Sequence, residues 1–235
     1  MKYSFQSRVR YSEMSEDRRL SLNGIINYFQ DASTFQSEDI GYGIDKLAEF
    51  GVGWVLSSWQ IVIKRAPAMG EEILISTWAY NFDRLFGYRN FTLENEAGEV
   101  LAYANSVWVL VDTKKGHPAH MIPEIAEAYL PLDEKLAMEY APRKIPLPKE
   151  MQEKEPFLVR YFHLDSNHHV NNAQYVQMAR EFIPVDFKIV EMRAEYKQQA
   201  VLGDEVYPKV QEVDGTYVVG LCRQDGSPFA VVQFL

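Results

Sequence analysis

The polar stretch from Asp165 to Asn172 concentrates the side chains that could do chemistry. Its eight residues (Asp-Ser-Asn-His-His-Val-Asn-Asn) hold one carboxylate, three carboxamides and two imidazoles. A carboxylate such as Asp165 can accept a proton from water, and an amide or imidazole, as in Asn167 and His169, can donate to charge that develops on a substrate. These residue types at this spacing therefore favour the activation of a water molecule.

The elements on either side of this stretch would hold it in place. Residues 157–162 before it are aromatic and branched, which is typical of an extended segment. Asn171 or Asn172 can cap a helix, because an amide oxygen accepts from unpaired N–H groups of the first turn. The apolar residues that follow at helical spacing, before Pro184, are Tyr175, Val176, Met178, Ala179, Phe182 and Ile183. The polar stretch is thus predicted to be a strand-to-helix turn, in which its side chains have little freedom to move apart.

Each of these residues also has a structural interpretation. Asp165 and Asn167 are common turn formers, and Asn171 and Asn172 are common caps. A histidine such as His168 is usually structural or solvated, and His169 gains functional weight only from its neighbours. Both interpretations stay open from the sequence.

The overall composition is that of an ordinary globular protein that works in a reducing compartment. The chain has 235 residues, a net charge of −9 and one cysteine, Cys222. The net negative charge argues against nucleic acid as the main partner, because binding its phosphate groups requires clustered Lys and Arg side chains. There is neither a signal-peptide pattern nor an apolar run long enough to cross a bilayer. We therefore expect a cytoplasmic protein with no membrane partner and no nucleic acid.

The pair His117 and His120 is the one pattern that suggests a metal. No Glu or Cys follows at ligand spacing, and Pro118 interrupts the helix that would orient the two imidazoles. The sequence therefore predicts no metal site, and it contains no pattern for another cofactor.

The order of elements in the first half predicts an α+β fold. A short extended start leads to a polar loop, and apolar residues at i, i+3, i+4 and i+7 from Leu22 to Phe29 predict a helix with Ser21 as its cap. Four strand-like runs follow, at 54–63, 73–78, 88–93 and 100–111, with turns at 67–70 and 95–98. A long helix beside an antiparallel sheet must bury its apolar face on that sheet.

The second half repeats this order. The tripeptide Val9–Tyr11 recurs as Val159–Tyr161, each followed by a polar loop and a helix. Lys64 with Gly70–Ile73 recurs as Lys197 with Gly203–Val206, at equal spacing. A period this long indicates two fused copies of one domain rather than a solenoid, and such copies can pair their sheets edge to edge. We predict an N-terminal domain at 1–112, a proline-rich linker at 113–154 that no sheet crosses, and a C-terminal domain at 155–235.

The two copies differ at the polar loop. Where the second copy has Asp165, Asn167 and His169, the first has Ser15, Asp17 and Arg19. Only the second copy keeps a carboxylate, a carboxamide and an imidazole together. The second copy is therefore the catalytic candidate, and the first is freer to shape a binding cavity.

The chain resembles the acyl-acyl-carrier-protein thioesterases, double-hotdog enzymes of plants and bacteria that release free fatty acids. The resemblance covers almost the whole chain. The transit segment of the plant members has no counterpart in it, which favours a bacterial protein. The motifs that carry it are residues 54–56, 60–67, 70–71 and 77–78, then 98–101 and 104–109, and finally the loop 165–175.

The resemblance implies a site, a partner and one departure. It implies Asp165, Asn167 and His169 as catalytic residues, with no cofactor. At the position of a further catalytic Glu the chain has Gln199, which could orient a water, and Ala200 replaces a cysteine found in plant members.

The implied partner is acyl carrier protein bearing a fatty acyl phosphopantetheine. The surface cations that could dock this acidic partner are Arg84, Arg89, Lys114, Lys115 and Arg143.

Three other functions remain open from the sequence. An acyl-CoA thioesterase would use the same chemistry on a different carrier, and a hotdog hydratase or dehydratase would also pair an Asp with a His. A non-catalytic acyl-binding module is a third alternative. The preferred chain length and saturation, and whether two chains form a homodimer, are not determined by the sequence.

Overall fold

The structure, a computed structural model, describes residues 1–235, which divide into two units. Unit 1 comprises residues 1–57 and 61–140, and unit 2 comprises residues 58–60 and 141–235. Each unit contains a helix beside an antiparallel sheet. The α+β class predicted from the sequence is therefore confirmed.

Unit 1 is a five-stranded antiparallel sheet with helices. Its elements are β1 (Tyr3–Arg8), α1 (Leu22–Asp39), α2 (Ile44–Glu49), β2 (Val52–Ile63), β3 (Glu72–Phe82), β4 (Phe86–Asn95), β5 (Val100–Asp112) and α3 (Pro123–Ala128). The strand order is β1–β3–β4–β5–β2. The strand-like runs of the sequence thus form the sheet, with turns where glycine and proline predicted them.

Helix α1 is fixed by its cap and by one apolar face. The Ser21 hydroxyl accepts from the Gly24 N–H at 3.0 Å, as predicted. Ile25, Ile26 and Phe29 are fully buried where the helix packs on β3 and β1. Complete burial of each such side chain stabilises the folded state by about 1.5–3 kcal/mol. The apolar face therefore holds α1 in place more than helix propensity does.

Unit 2 repeats the plan with shorter elements. These are β6 (Gln152–Glu153), β7 (Phe157–Leu158), α4 (Asn172–Arg180), β8 (Glu191–Tyr196), β9 (Glu205–Val213), β10 (Thr216–Cys222) and β11 (Pro228–Phe234). The strand order is β8–β11–β10–β9–β6, and β7 also pairs with β9. Helix α4 packs against β10 and β11, and Val176 and Ala179 are buried there.

Two predictions about the segment before the polar loop were wrong in detail. The proline-rich linker was expected to contain no strand, yet Gln152 and Glu153 pair with Val210 and Lys209 of β9. These two residues follow the last proline of the linker, Pro148, so their N–H groups are free to enter the ladder. The run 157–162 pairs only at its first two residues, because the chain then turns into a short 3₁₀ helix, Tyr161–His163.

Arg89 was proposed as a surface docking residue, and the structure corrects this. Only 6% of Arg89 is exposed. Its guanidinium donates to the side chains of Gln36 and Thr77 and lies 5.5 Å from the ring centroid of Tyr129. Burial lowers the pKa of this guanidinium. Arg89 is therefore a core residue of unit 1 that cannot meet a partner at the surface.

None of the helices combines the length and the hydrophobicity that crossing a bilayer demands.

Candidate functional site

The polar stretch of unit 2 is a tight loop closed by its own backbone. The Asp165 N–H donates to the His169 carbonyl at 2.8 Å, and the His168 N–H donates to the Asp165 carbonyl at 3.1 Å. A bridge between Leu164 and Val170 closes the base of the loop. His168 takes a positive φ of 63°, a conformation in which His is more common than most residues. Asp165 and His169 are thereby held on facing sides of one turn.

The Asp165 carboxylate is oriented by two backbone donors. Its Oδ1 atom accepts from the Asn167 N–H at 2.8 Å and from the His169 N–H at 3.3 Å. Asp165 and His169 are half-buried, and Asn167 is exposed. The three side chains do not hydrogen bond to one another. Asp165 therefore has the turn-forming role that the structural interpretation gave it, and this role also fixes where its carboxylate points.

Asn171 connects the loop to helix α4. Its side chain accepts from the Ala173 N–H at 2.8 Å, so Asn171 and not Asn172 is the cap. Because the cap uses the Ala173 N–H, that group is not available as a donor for an oxyanion. The positive end of the α4 dipole still lies directly after the loop, where it favours negative charge.

Gln199 lies beside the loop although it is distant in sequence. The Val170 N–H donates to the Ala200 carbonyl at 2.9 Å, and His169 forms an antiparallel bridge with Val201. Gln199 is exposed on this same segment. The structure therefore pairs the segment that follows Gln199 with the end of the polar loop, while no hydrogen bond joins the side chains of Gln199 and His169.

Tyr175 joins helix α4 to the segment of Gln199. The Ala200 N–H donates to the Tyr175 hydroxyl at 2.8 Å, and only 3% of Tyr175 is exposed. Burial raises the pKa of Tyr175 to about 12, and the negative charges of Asp204 and Asp165 contribute to the rise. The hydroxyl therefore stays protonated near neutral pH.

His163 is a residue near the site that the sequence did not single out. It is buried, and its Nδ1 atom accepts from the Arg160 N–H at 2.9 Å. Burial, with the positive charge of Arg160, lowers the pKa of His163. Alignment of the two copies places His163 at the position of Glu13 in unit 1, whose carboxylate accepts from the Arg10 N–H in the same way. This correspondence is the signal by which the sequence could have identified His163.

An open groove of about 530 Å³ in unit 2 is lined by Asp204, Glu205, Tyr207, Arg223, Gln224, Asp225 and Phe229. Asp204, at its rim, accepts from the Val201 N–H at 3.0 Å. Arg223, within it, donates to the Gln198 side chain at 2.8 Å and lies over the Phe229 ring. The groove therefore offers donors, acceptors and an aromatic face, and two of its lining residues hydrogen bond to Gln198 and Val201 on either side of Gln199.

The histidine pair of unit 1 does not form a group of metal ligands. His120 accepts from the Arg84 guanidinium at 3.0 Å. No group of three or more His, Cys, Asp or Glu side chains is arranged to hold a metal ion.

Comparison with known proteins assigns the family. The family model described as the acyl-ACP thioesterase N-terminal domain matches residues 1–129, and that of the acyl-ACP thioesterase C-terminal domain matches residues 147–219. The chain therefore belongs to the acyl-ACP thioesterase family. The resemblance noted in the motifs is confirmed.

Individual relatives are distant but similar over most of this chain. An acyl-[acyl-carrier-protein] hydrolase of Cuphea viscosissima is 24% identical over 207 residues, which is 81% of this chain and 50% of that protein. An oleoyl-acyl carrier protein thioesterase of Arabidopsis thaliana is 24% identical over 88% of this chain and 64% of its own length. The chain thus spans about half the length of the first of these curated relatives.

Solved structures share the fold along the whole chain. An acyl-ACP thioesterase from Bacteroides thetaiotaomicron superposes with a TM-score of 0.90 and 24% identity, covering 100% of this chain and 97% of that one. A 12:0-ACP thioesterase from Umbellularia californica gives a TM-score of 0.84 and 19% identity, covering 99% and 96%. The prediction of two hotdog units is confirmed by these structures.

Proposed function

We propose that this protein hydrolyses fatty acyl thioesters of acyl carrier protein to a free fatty acid and the carrier thiol. Family membership supports the reaction class. The observation that carries the assignment to unit 2 is its polar loop, in which Asp165 and His169 are hydrogen-bonded through the backbone across one turn. Unit 1 has the same loop without this pair of groups.

Asp165 is the group that we assign to the attacking water. Its Oδ1 atom is engaged by two N–H groups, so Oδ2 would take the proton from water or orient it. The water oxygen forms the new bond to the thioester carbonyl carbon, and the carbon–sulfur bond then breaks. Thiolate is a good leaving group, so the reaction needs no nucleophile from the protein.

Asn167 and His169 complete the proposed site. The Asn167 amide would hold the water or donate to the carbonyl oxygen as negative charge develops there. The His169 imidazole would orient this network or protonate the departing thiol. Gln199, on the neighbouring segment, would orient the water through its amide, without serving as a second base.

The partner that we propose is an acyl carrier protein, in the cytoplasm. This partner is acidic, so exposed cations such as Arg84, Lys114 and Lys115 are the docking candidates that remain after Arg89 is removed. Arg143 is a weaker candidate, because its guanidinium is only one-third exposed and lies 4.0 Å from Glu195. Docking through such cations predicts rates that fall as salt rises.

The test compares one acyl chain on two carriers. Thiol release is followed from acyl-ACP and from acyl-CoA, and we expect a higher kcat/KM with the carrier protein. A higher value with CoA would replace the proposal by an acyl-CoA thioesterase. An enoyl thioester that loses its double bond without releasing thiol would indicate a hydratase, and tight binding without turnover would indicate a binding module. Free acids released in a fatty-acid-making host then define chain length.

A further inference from the structure

Two tyrosines distinguish unit 2 from unit 1 at matching positions. Tyr175 on α4 stands where α1 has Ile25, counted from the helix cap, and Tyr196 at the end of β8 stands where β2 has Ile63. Unit 1 thus fills both places with apolar side chains. The change adds two hydroxyl groups to the unit that carries the polar loop.

Both hydroxyls bind backbone groups beside that loop. The Tyr175 hydroxyl accepts from the Ala200 N–H at 2.8 Å. The Tyr196 hydroxyl donates to the Asn172 carbonyl at 3.0 Å, in the first turn of α4. The two ring centroids are 5.9 Å apart. The Tyr175 hydroxyl also donates to the Gln198 carbonyl at 3.5 Å, so three hydrogen bonds join helix α4 to the strand-end segment 196–200.

Ala200 passes this restraint to the loop. Its N–H is held by Tyr175, and its carbonyl accepts from the Val170 N–H at 2.9 Å. The next residue, Val201, bridges to His169. A shift of the Ala200 peptide would consequently move Gln199 and His169 relative to Asp165.

We propose that Tyr175 is a positioning residue of the hydrolytic site, which fixes Gln199 and His169 against Asp165 through the Ala200 peptide. This inference rests on the hydrolase function proposed above. Tyr175 is not itself a catalytic base, because its raised pKa keeps the hydroxyl neutral and its side chain is covered. Without the hydroxyl, the Ala200 N–H would lose its acceptor, which weakens the restraint on the segment.

The test is Tyr175→Phe with Tyr28→Phe as the matched control. Tyr28 is also a helical tyrosine with 5% exposure, and its hydroxyl bonds to Ser7 and Glu13 of unit 1 at 3.0 and 2.8 Å. Both variants lose one covered hydroxyl. For Tyr175→Phe we expect kcat on acyl-ACP to fall between about 10-fold and 100-fold with KM within about twofold, since small displacements of reacting groups have effects of this size. Tyr28→Phe should keep its kcat.

A second measurement follows the restraint directly. Amide hydrogen exchange at Ala200 should accelerate in Tyr175→Phe and stay unchanged in Tyr28→Phe. Unchanged exchange, or faster exchange with a normal kcat, would overturn the inference. Tyr196→Phe, which removes the hydroxyl that donates to the Asn172 carbonyl, serves in its place should Tyr175→Phe fail to fold. Absence of hydrolysis in the unmodified protein and Tyr28→Phe alike would instead remove the proposed function, and the inference with it.

Discussion

The loops of the two units have the same backbone and different chemistry. In unit 1 the Ser15 N–H donates to the Arg19 carbonyl at 2.9 Å, and in unit 2 Asp165 and His169 make this bond at 2.8 Å. The residue after the turn has φ of 60° at Arg18 and 63° at His168. The loop geometry thus survives the replacement of almost every side chain in it.

A carboxylate serves both loops, but from different positions. In unit 1, Asp17 accepts from the Arg19 N–H at 3.0 Å and from the Ser15 hydroxyl at 2.8 Å. In unit 2, Asp165 accepts from the His169 N–H, and position 167 is a neutral amide. The comparison teaches that the backbone requires only one acceptor in the loop. Unit 2 instead places the carboxylate at position 165 and has a histidine at position 169.

The largest expected effect comes from removing the charge at that position. Asp165→Asn keeps an oxygen for the two N–H donors and loses the ability to take a proton. We expect kcat for thioester release to fall about 10²- to 10⁴-fold, which is the usual contribution of a positioned base. Asp17→Asn is the equivalent change in unit 1 and should leave kcat within about twofold. Equal rates for the two variants would end the distinction between the loops.

The next effect comes from the imidazole. His169→Ala removes the proposed donor to the leaving group, and we expect kcat to fall by about 10²-fold or more. Arg19→Ala is its counterpart in unit 1, where it removes a 3.0 Å hydrogen bond to the Ala66 carbonyl. Steady-state rates of both variants check this prediction. A normal rate for His169→Ala would assign that residue to the fold alone.

A smaller effect is expected at Gln199, whose position in unit 1 is held by Ala66. Gln199→Ala makes the two units alike there, and we expect kcat to fall about 10-fold because an amide that orients water is lost. Gln198→Ala, which removes a side-chain bond to Arg223, is the neighbouring control and should keep its rate. An unchanged kcat in Gln199→Ala would exclude a role for this amide.

The smallest effect concerns protein stability and tests His163, which stands where unit 1 has Glu13. The pKa of His163 is lowered in the folded state, so the folded state binds fewer protons than the unfolded chain. The stabilisation contributed by neutral His163 is present above the pKa of an unfolded histidine, about 6.5. It is lost as the pH falls toward the lower pKa that His163 has in the folded state. We expect Tm to fall less steeply below pH 6.5 in His163→Gln than in the unmodified protein. Thermal melts across this pH range check the prediction, and parallel curves for His163→Gln and the unmodified protein would contradict it.

Local patterns predicted the elements well because they depend on neighbours in the chain. The apolar spacing of Ile25, Ile26 and Phe29 predicted the first helix, and residue type predicted its cap, Ser21. For the second helix residue type narrowed the cap to Asn171 or Asn172, and the structure shows Asn171. The equal spacing of Lys64 and Lys197 to their glycines predicted the repeat. Arg89 was misjudged because charge alone suggests exposure, while its burial depends on Gln36, Thr77 and Tyr129 from other elements.

The sequence by itself determined the two-copy plan, the polar loop and the asymmetry between Asp165 and Ser15, since each is a matter of residue type and order. The tertiary structure decided which distant segment lies against the loop. The Ala200 peptide reaches Val170 and Tyr175 only through pairing across the fold. Hydrogen bonds of this kind join residues whose separation along the chain carries no periodic pattern, so they become visible only once the chain has folded.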